Sequence, residues 1–370
     1  MLLVLLLSAC GKEPLYHEQG YVFGTLVDVS IYGEDEAKAR TAVGEVLQEF
    51  QRLHDELHAW QPSELSELNA AFAKGEGKAV SPELVAMLRD AAQLSEQSGG
   101  LFNPAIGGLI GVWGFQSDEF KPLLPDAEKI AALVKANPQM GDIVFNPSPT
   151  LPTPPTPPLS GGRKSGEGAT ATPPLIRGGR EGFTVSSRNR SVKIDLGGYA
   201  KGYALDRAAE LLRKRGIRNA LVNIGGNVMA LGKHGDRSWR VGIQHPRKSG
   251  ALASLELRDG EAIGTSGDYQ RYFELDGKRY CHLIDPRSGW PVQGVQAVTV
   301  LTRGERAGLL SDAASKPLFV AGKDGWRAAA QRMQLPEAML VDAQGGIHLT
   351  AALQKRLEFA DKNIRAEVLP

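Results

Sequence analysis

The chain has little cysteine: two in 370 residues, Cys10 and Cys281. No disulfide framework can be built on that count. Net charge is nearly absent too, +1 at pH 7, so there is no basic footprint for nucleic acid. No repeat-length period recurs, which sets a solenoid aside. The apolar run that opens the sequence is far shorter than the roughly 20 residues needed to span a bilayer. What remains is ordinary globular composition, 42% hydrophobic and 23% charged, with length for one large domain or two lobes.

The run MLLVLLLSAC ends in Leu7-Ser8-Ala9-Cys10, which fits a bacterial lipobox, small residues ahead of a cysteine that becomes the lipidated N-terminus. We therefore expect residues 1–10 to be a lipoprotein signal and Cys10 the lipid-anchored residue, at the periplasmic face of a bacterial inner membrane. The positively charged segment of a signal peptide is missing, and the natural start is expected upstream. Cys281 then has no partner and reads as a small packed residue.

Residues 22–32 are rich in β-branched residues and predict an opening strand. Apolar positions Val43, Val46, Leu47, Phe50, Leu53 and Leu57 recur at three and four, giving an amphipathic helix over 34–58. Ser81-Pro82 starts another helix to about Gln97, halted by Gly99-Gly100, and a third covers 126–136. Residues 146–182 hold nine prolines and seven glycines in 37 positions and no aromatic residue. Such a stretch cannot bury enough surface to offset its ordering entropy, and it is expected as an insertion between strands 143–145 and 183–187. Beyond it come short strands at 192–195, 219–224, 239–244, 252–257, 269–275, 278–284 and 295–301, with helices at 199–215 and 304–315. Without a regular βαβ alternation, this predicts an α+β fold.

Four stretches carry candidate chemistry. In the first, KIDLGGYAKGYALD, Asp195, Gly197, Gly198, Lys201 and Gly202 meet at a strand-to-helix junction. Glycines admit a ligand close to the backbone, and a helix N-terminus offers amides to phosphate; a tight turn with packing glycines explains the same letters. The second, LVNIGGN over 221–227, reads best as a hairpin turn. The third, TSGDYQRYFELDGKRYCHLIDPRSGWP over 265–291, has a strong hairpin signal at Asp276-Gly277. There His282 and Asp285 form either a general-base pair or a structural pair closing a turn. In the fourth, SDAASKPLFVAG over 311–322, Asp312 is one helical turn before Lys316, as an i,i+4 ion pair or as a Mg²⁺ ligand.

Together these blocks resemble those of the ApbE family, the FAD:protein FMN transferases, as do FGTLVDV (23–29), HAWQPSELSELN (58–69) and GGLFNPAIGGLIGVWGF (99–115). The likeness spans about 20–360, a single domain interrupted by the insertion. It implies a T-fold-related α+β protein of two lobes with mixed, largely antiparallel sheets, and FAD in a cleft between the lobes. By motif position, Phe23, Trp60 and Leu101-Phe102-Asn103 would line the flavin and adenine pockets. Asp195 and Lys201 would hold the nucleotide, Ile284 would give a backbone contact, and Thr265 is a weaker candidate at the phosphates. Mg²⁺ would take the Gly198 carbonyl, Asp312 and a hydroxyl one turn later. The family's threonine at that last position falls on Lys316, which cannot ligate while protonated. Either Ser315 or water completes the set, which is the expectation adopted, or the ammonium supplies charge itself.

The resemblance further implies that FAD is a substrate whose FMN moiety passes to a Thr or Ser hydroxyl of a partner protein at an S/T-G-A-T type site, releasing AMP. The partner expected is a periplasm-facing electron-transfer subunit, and His282, assisted by Asp285, is the expected base. The alternatives are an FAD pyrophosphatase giving FMN and AMP, and a flavin-binding lipoprotein without turnover.

Overall fold

The computed structural model describes residues 15–117, 119–147 and 183–369; Cys10 and residues 148–182 lie outside the described residues. The expected opening strand over 22–32 is β2 (Thr25–Tyr32), and a strand not anticipated, β1 (Leu15–Val22), precedes it and pairs with it antiparallel. Between them Phe23 and Gly24 both have positive φ, 56° and 67°. That is the geometry of a two-residue hairpin turn that normally recruits Asn-Gly or Asp-Gly, so no turn signal is legible at Phe23.

Seven more strands complete a nine-stranded sheet: β3 (Ala220–Ile224), β4 (Asn227–Leu231), β5 (Ala262–Gly267), β6 (Val295–Thr302), β7 (Ala338–Asp342), β8 (Ile347–Thr350) and β9 (Ala366–Leu369). Their spatial order is their chain order. Every neighbouring pair is antiparallel except β8 with β9. The expected hairpins form at Gly225-Gly226, joining β3 to β4, and at Asp276-Gly277, joining Tyr272–Leu275 to Lys278–Cys281.

Strand β6 is buried at all eight positions, because the sheet is covered on both sides. On one side lie α1 (Glu36–Glu56), α2 (Glu64–Lys74), α3 (Pro82–Gln97), α4 (Ala200–Lys214), α5 (Ala307–Ala313) and α6 (Ser315–Arg332). They share the main core, in which Val27, Val29 and Ile31 of β2 meet Phe50, Leu53, Leu205 and Phe319. On the other side a small sheet of Trp239–Gln244, Ala251–Leu257 and Glu358–Phe359 packs Trp239, Val241 and Leu255 against Val228 and Ala230. A third cluster gathers Trp113, Phe115, Phe273, Tyr280 and Ile284. The fold is α+β with mixed, mostly antiparallel sheets, as expected.

Local chemistry sets the helix ends. The Ser81 hydroxyl accepts from the Leu84 amide to open α3, and Gly99 and Gly100, both at positive φ, close it. The expected strand at 192–195 is reduced to one bridge between Lys193 and Ile106. The helix expected over 304–315 is α5, and α6, not anticipated, follows directly, with a break in helical geometry at Gly322. Strand Ile143–Pro147 includes Asn146 and Pro147, two residues assigned above to the insertion, and pairs with Phe183–Ser187 down to Pro147 opposite Phe183. Cys281 is buried and free, and burial pushes its thiol up to about 12.

Candidate active site

The glycine-rich junction at the start of α4 does two jobs. Gly202 is there for space: a Cβ on it would lie 2.5 Å from the Gly308 carbonyl oxygen and 2.7 Å from Asp312 Cβ. Gly264 of β5 plays the same part, since its Cβ would meet the Ser311 carbonyl oxygen at 2.2 Å. These two absences let α5 settle directly on α4 and β5, and Asp312 is thereby buried to 1% exposure.

Burying a carboxylate is unfavourable unless it is paired and hydrogen-bonded. Asp312 Oδ2 accepts from the Gly202 amide at 3.0 Å, a donor of the first turn of α4, where the helix dipole favours negative charge. Its Oδ1 accepts from the Lys316 ammonium, which also donates to the Asp312 carbonyl oxygen at 2.7 Å. Burial works against ionisation, but the Lys201 and Lys316 charges and these hydrogen bonds outweigh it, holding the carboxyl at about 2. Lys316 is itself pushed down by burial, against the pull of Asp312.

Beside this niche, the Trp60 indole N–H donates to Asp195 Oδ2 at 3.0 Å and the Gly197 amide to Oδ1 at 2.8 Å. The Lys193 ammonium lies 3.5 Å from the centre of the Trp60 ring, and Gly111 makes room for that ring, 3.0 Å from where a Cβ would stand. Lys201 makes only a long contact, 3.4 Å, to the Gly197 carbonyl. Phe102 is buried against Gly198, and Asn103 spends its side chain on Pro138 and Ala105; Leu101 is partly exposed. Phe23, at the hairpin tip, packs on Phe50 and His54. Thr265 is bonded to Thr299 across β5 and β6 at 2.9 Å, and Ile284 is buried and bridged to Pro291.

His282 Nδ1 lies 3.2 Å from the Arg271 carbonyl oxygen. A carbonyl only accepts, so Nδ1 carries the proton and Nε2 keeps the lone pair. Burial, then the Lys201 and Arg271 charges, push the imidazole down to about 3. Asp285 is not its partner. The Asp285 carboxylate is gripped by the Arg287 guanidinium at 2.7 and 2.9 Å and by the Arg287 amide. The turn after Ile284 captures it locally before it can face the imidazole, so the expected His282–Asp285 pair is not formed.

The sequence profile of the ApbE family matches residues 23–340. The chain belongs to the ApbE family. It is 38% identical over 358 residues to an FAD:protein FMN transferase of Rhodobacter capsulatus, covering 97% of this chain and 61% of that protein. The chain thus spans about three fifths of that relative's length. An FAD:protein FMN transferase of Treponema pallidum is 30% identical over 371 residues, with 96% and 92% covered. Among solved structures, the ApbE protein of Thermotoga maritima superposes with a TM-score of 0.75 at 28% identity, covering 93% of this chain and 99% of that one. The flavin transferase ApbE of Vibrio cholerae gives 0.72 at 25%, with the same coverage.

Against the ApbE pattern the expected metal set needs correction. Gly198, Asp312 and Ser315 do converge, but around the Lys316 side chain: a Cβ on Gly198 would lie 3.3 Å from Lys316 Cε. Each Asp312 oxygen already accepts one hydrogen bond, one of them from the Lys316 ammonium, and Ser315 Oγ is bonded to Ser266 at 2.7 Å and to the Asp312 carbonyl at 2.8 Å. Mg²⁺ demands a near-octahedral oxygen shell, and about 4 Å from an ammonium it would meet a repulsion of roughly 8 kcal/mol at an effective dielectric of 20. The donor set as folded does not fit a divalent ion. Among the described residues no three His, Cys, Asp or Glu side chains gather at metal-binding spacing.

Sequence reasoning missed Lys193 and Arg271. Arg271 stands inside the matched TSGDYQRYF block but drew no separate notice, and Lys193 carries no motif signal. A cavity of about 650 Å³ between α3 and the Ile143–Pro147 strand, lined by Arg89, Gln93, Gly100, Gln139 and Phe145, contains none of the predicted residues.

Proposed function

We propose that this ApbE-family chain transfers the FMN moiety of FAD to a Thr or Ser hydroxyl of a partner protein, releasing AMP. The observation that carries the reading is the geometry at His282: Nδ1 is spent on the Arg271 carbonyl, which leaves the Nε2 lone pair to accept a proton. A hydroxyl is a weak nucleophile at neutral pH and needs such a base within reach.

The chemistry balances without further reagents. The hydroxyl proton passes to His282 Nε2, and its oxygen bonds to the FMN-side phosphorus. The bond from that phosphorus to the bridging oxygen breaks, and AMP leaves with that oxygen. Lys201 is the flexible cation beside the α4 N-terminus for the developing phosphate charge. Asp195, fixed by Trp60 and Gly197, retains a second lone pair on each oxygen for the nucleotide. Phe23, Trp60 and Phe102 supply aromatic surface for the ring systems. No step is routed through a divalent ion.

The proposal extends to place: a lipid anchor at Cys10 would hold the domain at the periplasmic face of the inner membrane, near an acceptor bearing an S/T-G-A-T type site. The support for that is the Leu7–Cys10 lipobox pattern. Incubating the chain with FAD and a peptide of that type, and following peptide mass with AMP, tests the chemistry. A peptide heavier by one FMN supports it; AMP with an unmodified peptide indicates water as the acceptor, and no AMP indicates a binding protein.

A further inference from the structure

We propose that the Lys316 ammonium takes the place of a divalent cation in this chain, so that its flavin transfer runs without magnesium. The inference rests on the function proposed above but concerns a different property, the source of positive charge beside the phosphates.

Three observations carry it. Lys316 is on the same face as Asp312, one helical turn on across the α5–α6 junction, and its side chain is 15% exposed. Its aliphatic stem runs past Gly198, and the ammonium caps both the carboxylate and the carbonyl of Asp312. A positive charge is therefore fixed at the point where the expected ligands converge. An ammonium has three donors, and two are accounted for, leaving one for a phosphate oxygen. The niche is also closed to a second cation. Ser315, the remaining hydroxyl, is turned into a buried hydrogen bond with Ser266, so it is not presented as a ligand. Asp312 balances part of the Lys316 charge, as it would balance part of a metal ion's, and Lys201 with the α4 N-terminus adds to the positive charge that the phosphates meet.

Two measurements on the full chain decide the matter. The first is turnover, AMP plus labelled peptide, in excess EDTA and in excess Mg²⁺. Wild type should agree within about twofold between the two. Lys316→Thr restores an oxygen and removes the charge. It should lose about 100-fold in EDTA, the scale of one missing electrostatic stabiliser, and recover with Mg²⁺. Lys316→Met, with neither charge nor oxygen, should be slow in both. The second is Mn²⁺ binding to the FAD-loaded chain by electron paramagnetic resonance, which needs no turnover. Wild type should bind none at the site, and Lys316→Thr should bind one.

A wild-type chain that takes up one Mn²⁺, or that loses turnover about tenfold or more in EDTA, overturns the proposal. Should neither peptide nor AMP change under any condition, the transferase reading fails, while the Mn²⁺ titration of wild type still decides the cation. The same titration serves if the variants do not fold.

Discussion

If His282 is held neutral in the folded protein, acid should tell. Its folded pKa of about 3 lies below the unfolded value of 6.5, so between these limits the unfolded chain binds a proton that the folded chain refuses. A group depressed in this way contributes stability that is complete above pH 6.5 and is lost as the pH falls towards 3. The slope for one proton is about 1.4 kcal/mol per pH unit. Over the accessible range from about pH 6 to pH 4, wild type should therefore lose roughly 2–3 kcal/mol through this residue alone. Asp206 acts oppositely: burial raises its carboxyl to about 6, so it favours the fold as the pH falls. That contribution is common to wild type and variant and cancels in the difference. Urea unfolding of wild type and His282→Gln at half-unit steps across this window measures it, because glutamine does not titrate there. Stability curves that stay parallel between pH 6 and pH 4 would refute the claim that His282 is kept uncharged across this range. The rate gives a second view: transfer by wild type should show no acid-side break near pH 6.5.

Gly202→Ala should destabilise the protein by about 2–3 kcal/mol, since its Cβ would meet backbone atoms of α5; with an unfolding entropy of roughly 0.7–0.8 kcal/mol per kelvin for 370 residues, calorimetry should show Tm lower by about 3–4 °C. Asp285→Asn should change the transfer rate by less than about threefold, because the Asp285 carboxylate serves Arg287 and the turn; a 100-fold fall, the scale of a lost base partner, would restore Asp285 to His282. Phe23→Asn suits the positive φ of the hairpin tip but gives up the packing on Phe50 and His54, so it should lower Tm only slightly while weakening FAD binding by about tenfold in fluorescence titration.

Much of the fold was legible because its signals are local. Ser81-Pro82, Asp276-Gly277 and Gly225-Gly226 act through their own backbone preferences, which the surrounding structure did not override. Phe23 was illegible as a turn because tertiary packing on Phe50 and His54 holds a conformation that its residue type does not favour. Helix α6 hid behind Pro317 and Gly322, although a proline in the first turn is compatible with a helix. At the site, spacing showed that Asp312 and Lys316 share a face, but not that the ammonium fills the niche, which depends on how closely Gly202 and Gly264 bring α5 in. Spacing also paired His282 with Asp285, and there a shorter-range competitor, Arg287, won.

The nine-stranded sheet has a consequence for how the protein is made. Because strand order in space is strand order along the chain, no strand has to be threaded between two partners already joined. Each arrives at an open edge left by its predecessor. During synthesis the β1–β2 hairpin comes first and waits through 187 residues, from Gly33 to Asn219, before β3 can dock on it. In that interval α1, α2 and α3 are available to shelter the inner face of the hairpin, and from β3 onward the edge grows in the order of translation. A circular permutant that begins at β3 would have to add the old first hairpin last, to an edge already built. Slower refolding with little change in final stability is the signature that would distinguish such a molecule.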